Sequence, residues 1–96
     1  MTYKELKPLL ADRVSEITLV SGVNSIAVYK LKNLAGEELL LNDILENDPI
    51  SDLENFEVKH IYSAPTGFIL EFEYSLDISR AIANNANLKL VEFINE

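Results

Sequence analysis

The feature that most limits the fold of this chain is a pair of alternating segments around a proline-glycine turn. Residues 56–63 and 67–75 flank Ala64-Pro65-Thr66-Gly67, a pattern typical of a β-hairpin with a loop longer than two residues. In the second segment the alternation separates two faces. One face carries Phe68, Leu70, Phe72 and Tyr74, and the other carries Ile69, Glu71, Glu73 and Ser75. Because an apolar sheet face has to be covered by another layer, the hairpin predicts a sheet with helices packed on it.

The amino-terminal pattern predicts the first of these helices. Thr2 and Glu5 have the T-x-x-E spacing of a capping box, and the apolar residues that follow recur every three or four positions. We therefore predict a helix over residues 4–14. Pro8 has no amide hydrogen and is tolerated only in a first turn, so the regular part is expected to begin at Lys7 or Pro8.

Further strands and a second helix follow from similar local patterns. Residues 16–20 and 25–31 alternate on either side of a turn, and they predict two strands. Ser75 or Asp77 can cap a short helix, after which residues 88–94 have the period of a last strand, with a helical tail as the alternative.

Residues 37–46 fit two descriptions. They can form a helix with its leucines and isoleucine on one side. Alternatively, residues 38–41 form a strand paired with residues 25–31, and Asn42 caps a short helix that ends at Glu46. The hairpin is the interpretation that we favour.

These elements predict one α+β domain over residues 1–96. At this length a single core buries roughly 60 to 70% of the unfolded surface without disulfides. The expected architecture is an antiparallel sheet of four to six strands, with the N-terminal helix and a second short helix packed on one face. The predicted layout is a helix (4–14), hairpins and a short helix (16–46), a hairpin (56–75), and a helix with the last strand (76–94).

The net charge of −8 comes from one segment of the chain. Residues 33–58 contain eight acids and no lysine or arginine, while the acids and bases elsewhere balance. The eight acids are Glu37, Glu38, Asp43, Glu46, Asp48, Asp52, Glu54 and Glu57. Such a field repels phosphate backbones, which disfavours direct binding of nucleic acid. The segment either keeps the chain soluble or docks on a basic partner. Its carboxylates lack the residue order and glycine of a calcium loop.

Residues that carry catalysis are scarce. With no cysteine, thiolate nucleophiles and zinc fingers are excluded, and a secreted disulfide scaffold is disfavoured. His60 is the only histidine, and the three glycines are isolated, so no phosphate-binding loop is present. Glu71 and Glu73 share a strand face, which is more typical of a solvated surface than of a glycosidase pair. We predict no catalytic residue, no metal and no cofactor.

The amino terminus has no apolar signal-peptide core, and no stretch reaches the length of a membrane span. We therefore predict a cytoplasmic protein without a membrane partner.

Several segments resemble small accessory proteins that phages and other mobile elements of low-GC Gram-positive bacteria carry. The likeness covers residues 2–74 and rests on KELKPLL, the early hairpin, LNDILEND, and LENFEVKHIYSAPTGFIL. These motifs are structural, and the resemblance transfers no functional residue. It implies a small intracellular gene product that acts on host or phage machinery or assembles with it.

The functional prediction is a non-enzymatic binding module, in its sharpest form a phage-type inhibitor. Its eight acids would dock on the basic surface of a nucleic-acid-processing or defence protein. The alternative is a structural protein that forms homo-oligomers through a sheet edge or through residues 88–94.

Overall fold

The computed structural model describes residues 1–10, 14–31, 50–65 and 67–93, with the backbone alone for Glu92 and Phe93. The predicted elements within residues 37–46 lie outside these ranges. The described residues form a small single α+β domain, as predicted. Its centre is a five-stranded sheet.

The chain begins with a very short helix rather than the predicted one. Helix α1 spans Tyr3–Leu6, and a 3-10 turn, η1, spans Lys7–Leu9. The capping box is present. The Thr2 hydroxyl accepts a hydrogen bond from the N–H of Glu5, and the Glu5 carboxylate accepts one from the N–H of Thr2. The predicted extent to residue 14 is wrong, since Val14 is already the first residue of a strand. The α-helix ends just before Pro8, whose missing amide hydrogen cannot continue its ladder.

Strands β1 (Val14–Ser21) and β2 (Asn24–Leu31) confirm the first predicted hairpin. They are joined through Gly22 and Val23. Gly22 has a φ of 63°, in the left-handed region that glycine adopts without a steric penalty.

The second half of the chain has the predicted order of a hairpin, a helix and a last strand. Its elements are the 3-10 turn η2 (Ser51–Leu53), β3 (His60–Ala64), β4 (Gly67–Glu73), helix α2 (Leu76–Ala83) and β5 (Leu88–Phe93). The first hairpin arm starts later than predicted, at His60. Ser75 caps α2 through its hydroxyl, which accepts a hydrogen bond from the N–H of Ile78 at 3.2 Å.

The sheet is mixed rather than antiparallel. Its order is β3-β4-β1-β2-β5, and β1 pairs with β4 in parallel. The antiparallel prediction therefore holds for the other three pairs only. The alternation of residues along the chain identifies strands and hairpins, but it does not show which strands of two distant hairpins pair. Here the two hairpins pair through β1 and β4, which run parallel.

The core lies on one face of the sheet. In the register of β1 with β4, Ile17 pairs with Leu70 and Leu19 with Phe72, and all four side chains are buried. Tyr3 of α1 and the buried residues of α2 belong to the same cluster. Both helices therefore pack against this core. The opposite face carries the polar members of the alternation, including Thr18 and Glu71.

Candidate functional site

The acidic segment is only partly within the described residues. Five of its predicted site residues, Glu37, Glu38, Asp43, Glu46 and Asp48, lie outside them. Of the remaining three, Asp52 lies in η2, and Glu54 and Glu57 lie in the connection from η2 to β3. Asp52 is exposed and Glu54 half-buried, while the Glu57 side chain is 73% exposed. Each therefore has some access to solvent.

The segment that carries these three acids is held at fixed points by apolar anchors and main-chain bonds. Ile50 and Leu53 are fully buried in the core cluster. The N–H of Lys4 donates to the carbonyl oxygen of Glu54 at 3.1 Å, and the N–H of Val58 donates to that of Met1 at 2.9 Å. The amino-terminal ammonium group lies 3.0 Å from the Glu57 carboxylate. The acids thus project from an ordered backbone.

A second charged cluster lies where β4 ends and β1 turns into β2. The Lys59 ammonium group donates to the Glu73 carboxylate at 2.9 Å and to the carbonyl oxygen of Gly22. Glu73 also accepts the N–H of Gly22 at 3.0 Å. The Gly22 N–H first, and then Lys59, hold the pKa of Glu73 below its ordinary value of 4.5. This cluster connects the end of β4 with the β1–β2 turn and with the residue before β3, so its role is structural.

The only histidine of the chain is paired on the sheet surface. His60 Nδ1 lies 3.1 Å from Glu71 Oε1, and the His60 ring meets the edge of Tyr62 with the ring centroids 6.0 Å apart. Glu71 is 13% exposed. No nucleophile motif accompanies this pair in the sequence. Glu71 and Glu73, the two acids predicted to share a strand face, therefore each contact a basic side chain. Glu71 contacts His60 of β3, and Glu73 contacts Lys59, which precedes β3.

An open depression of about 340 Å³ adjoins the beginning of β3. Met1 and Leu6 line it from the amino terminus, and Val58, Lys59, His60 and Ile61 line it from the other side. Its lining is mainly apolar. Sequence reasoning missed it, because it depends on the bridge between Thr2 and Glu57, two residues at opposite ends of a long stretch of chain.

Within the described ranges, no group of three or more His, Cys, Asp or Glu side chains is placed to hold a metal ion. No helix among them has both the length and the apolar character needed to cross a bilayer.

Comparison of the chain with protein-family models, with curated proteins and with solved structures finds no significant match. The resemblance to phage accessory proteins stays a prediction, and the function is argued from the residues and their geometry.

Proposed function

We propose that this chain is a non-enzymatic protein-binding module that docks on a basic surface of a protein partner through its acidic segment. The observation that carries the proposal is the charge distribution: eight acids and no lysine or arginine between residues 33 and 58. The anchored backbone around Asp52, Glu54 and Glu57 supports it. Carboxylates that project from a fixed backbone lose less conformational entropy on binding than carboxylates on a free chain.

Binding would proceed in two physical steps. The net charge of −8 attracts a basic partner over a distance set by the ionic strength, which speeds encounter. Carboxylates of the segment then pair with lysine and arginine side chains of the partner. On a nucleic-acid-processing or defence protein, they would occupy positions that phosphates otherwise take, and inhibition would follow from competition. The resemblance to phage accessory proteins provides a biological setting for this activity.

The test compares two variants of equal charge. In the first, Asp43, Glu46, Asp48 and Asp52 are changed to Asn or Gln within the segment. In the matched control, Asp12, Asp77, Glu92 and Glu96 are changed in the same way outside it. Tagged forms of both variants and the wild type are used to capture proteins from a bacterial lysate at low and high salt.

We expect the wild type and the control to capture the same protein at low salt and to release it at high salt. The segment variant should fail to capture it. Repeating the measurement with the purified partner then establishes direct binding. If all three forms capture the same proteins, or none, the acidic segment is not a docking site and its charge serves solubility.

A further inference from the structure

The two edge strands of the sheet differ in how they are protected against pairing with another strand. Proteins commonly protect an edge with charged side chains, prolines or irregular register. Strand β5 carries Lys89 opposite Lys30 of β2, and its register shifts between Val28 and Tyr29. Strand β3 contains no proline and no Lys, Arg, Asp or Glu, and it pairs with β4 without a shift from His60 to Ala64. Its edge therefore lacks these protections.

Strand β3 also exposes apolar surface. Ile61 is 38% exposed and Tyr62 is 48% exposed. In an antiparallel ladder, alternate residues direct their N–H and C=O groups away from the neighbouring strand. Among the described residues, β4 is the one strand that pairs with β3, so no described strand accepts these outward-directed main-chain groups. The edge offers both hydrogen bonds and apolar contacts.

We propose that β3 pairs antiparallel with β3 of a second copy of this chain, about a two-fold axis at Tyr62. This register uses all five residues of the strand and joins two five-stranded sheets into one. Tyr62 faces Tyr62 of the second copy, Ile61 faces Ser63, and His60 faces Ala64. Aromatic pairs directly across strands are among the stabilising ones.

The residues of β3, unlike the chain as a whole, offer no negative charge to a foreign basic strand, and a second copy fits them better. The register opposes no two like charges, and the nearby Lys59 ammonium group is already bound by Glu73 within its own chain. Strand β3 itself offers no carboxylate to a basic strand. The same register brings Ala64, the last residue of β3, opposite His60 of the other copy, and His60 also lines the depression beside Met1 and Leu6.

Sedimentation of matched variants tests the proposal. Tyr62→Lys places two cations face to face on the axis, while Leu90→Lys makes the same kind of change at β5, where Leu90 is 54% exposed. The wild type and Leu90→Lys should sediment as dimers, with association strengthened or unchanged at high salt. Tyr62→Lys should weaken dimerisation by roughly tenfold or more, the effect typical of an interface tyrosine.

A cross-link provides a second readout that does not depend on disrupting the strand. The chain has no cysteine, so Tyr62→Cys introduces a single thiol. Directly opposed residues of an antiparallel pair come close enough for a disulfide. Under mild oxidation, Tyr62→Cys should form a covalent dimer much faster than Leu90→Cys. A monomeric wild type, equal cross-linking of the two variants, or loss of association in Leu90→Lys alone would each overturn the proposal, as would open-ended polymers.

Discussion

At the scale of single residues, the cluster of Glu73, Lys59 and Gly22 connects three segments with one carboxylate. Glu73 accepts hydrogen bonds from the main chain of the first hairpin turn and from a lysine that precedes β3. These bonds favour the charged form of Glu73 and lower its pKa. A carboxylate with a lower pKa in the folded state stabilises the fold above its ordinary pKa. That stabilisation is lost as the pH falls through the folded value.

Glu73→Gln should therefore destabilise the protein at pH 7, and the difference from the wild type should shrink as the pH falls below 4.5. Urea unfolding of both proteins between pH 3 and pH 7 measures this. Glu54→Gln changes the net charge by the same amount and is the control for charge, because no ion pair of the Glu54 side chain is found among the described residues. A difference between the wild type and Glu73→Gln that stays constant across this range would contradict the assignment.

At the scale of secondary-structure elements, the features that depend on residues close together in the chain could be predicted from the sequence. The capping box of Thr2 and Glu5, the turn at Gly22 and the second hairpin are all in place. What could not be predicted depends on distant pairing. The parallel contact between β1 and β4 has no local signature, and without it the meeting of Gly22 with Glu73 cannot be foreseen. The predicted first helix failed because β-branched residues and the sheet compete with helical spacing after Pro8.

A local hydrogen bond also determines where helix α2 begins. The Ser75 hydroxyl accepts a bond from the N–H of Ile78, one of the amide groups that a helix leaves without an internal partner. Ser75→Ala should cost about 1 kcal/mol of the free energy of unfolding. Ser79→Ala, inside the same helix, should be neutral or stabilising, because alanine favours helix interiors. Thermal or urea unfolding separates the two, and equal effects would mean that Ser75 does not act as a cap.

At the scale of the whole molecule, the two proposed contacts use different parts of the sequence, the acidic segment and strand β3, and they can operate together. The segment carries the net charge, while β3 contains no acidic residue. A dimer through β3 would present two acidic segments, so a partner with two basic sites would bind with avidity. Salt distinguishes the two contacts, since it weakens docking through carboxylates and does not weaken pairing of a neutral strand.

Leu53 of η2 lies in the segment whose acids the docking proposal uses, and its burial fixes that segment to the core. Its side chain is fully buried with Tyr3 and Ile50, while Asp52 and Glu54 on either side reach solvent. Leu53→Ala should reduce the free energy of unfolding by about 2–5 kcal/mol, because it removes buried methyl groups and leaves a cavity. The control Leu9→Ala changes a leucine that is largely exposed and should have little effect.

The loss at Leu53 is large for a domain of this size, whose total stability is typically about 5–15 kcal/mol. Urea unfolding followed by far-ultraviolet circular dichroism measures it. Because one buried cluster contains Leu53 together with residues of α1, α2 and the sheet, the whole domain should unfold in a single transition shifted to lower urea. An unchanged midpoint in Leu53→Ala would show that the segment around Leu53 is not part of the core. Asp52 and Glu54 would then lack the fixed backbone on which the docking proposal relies.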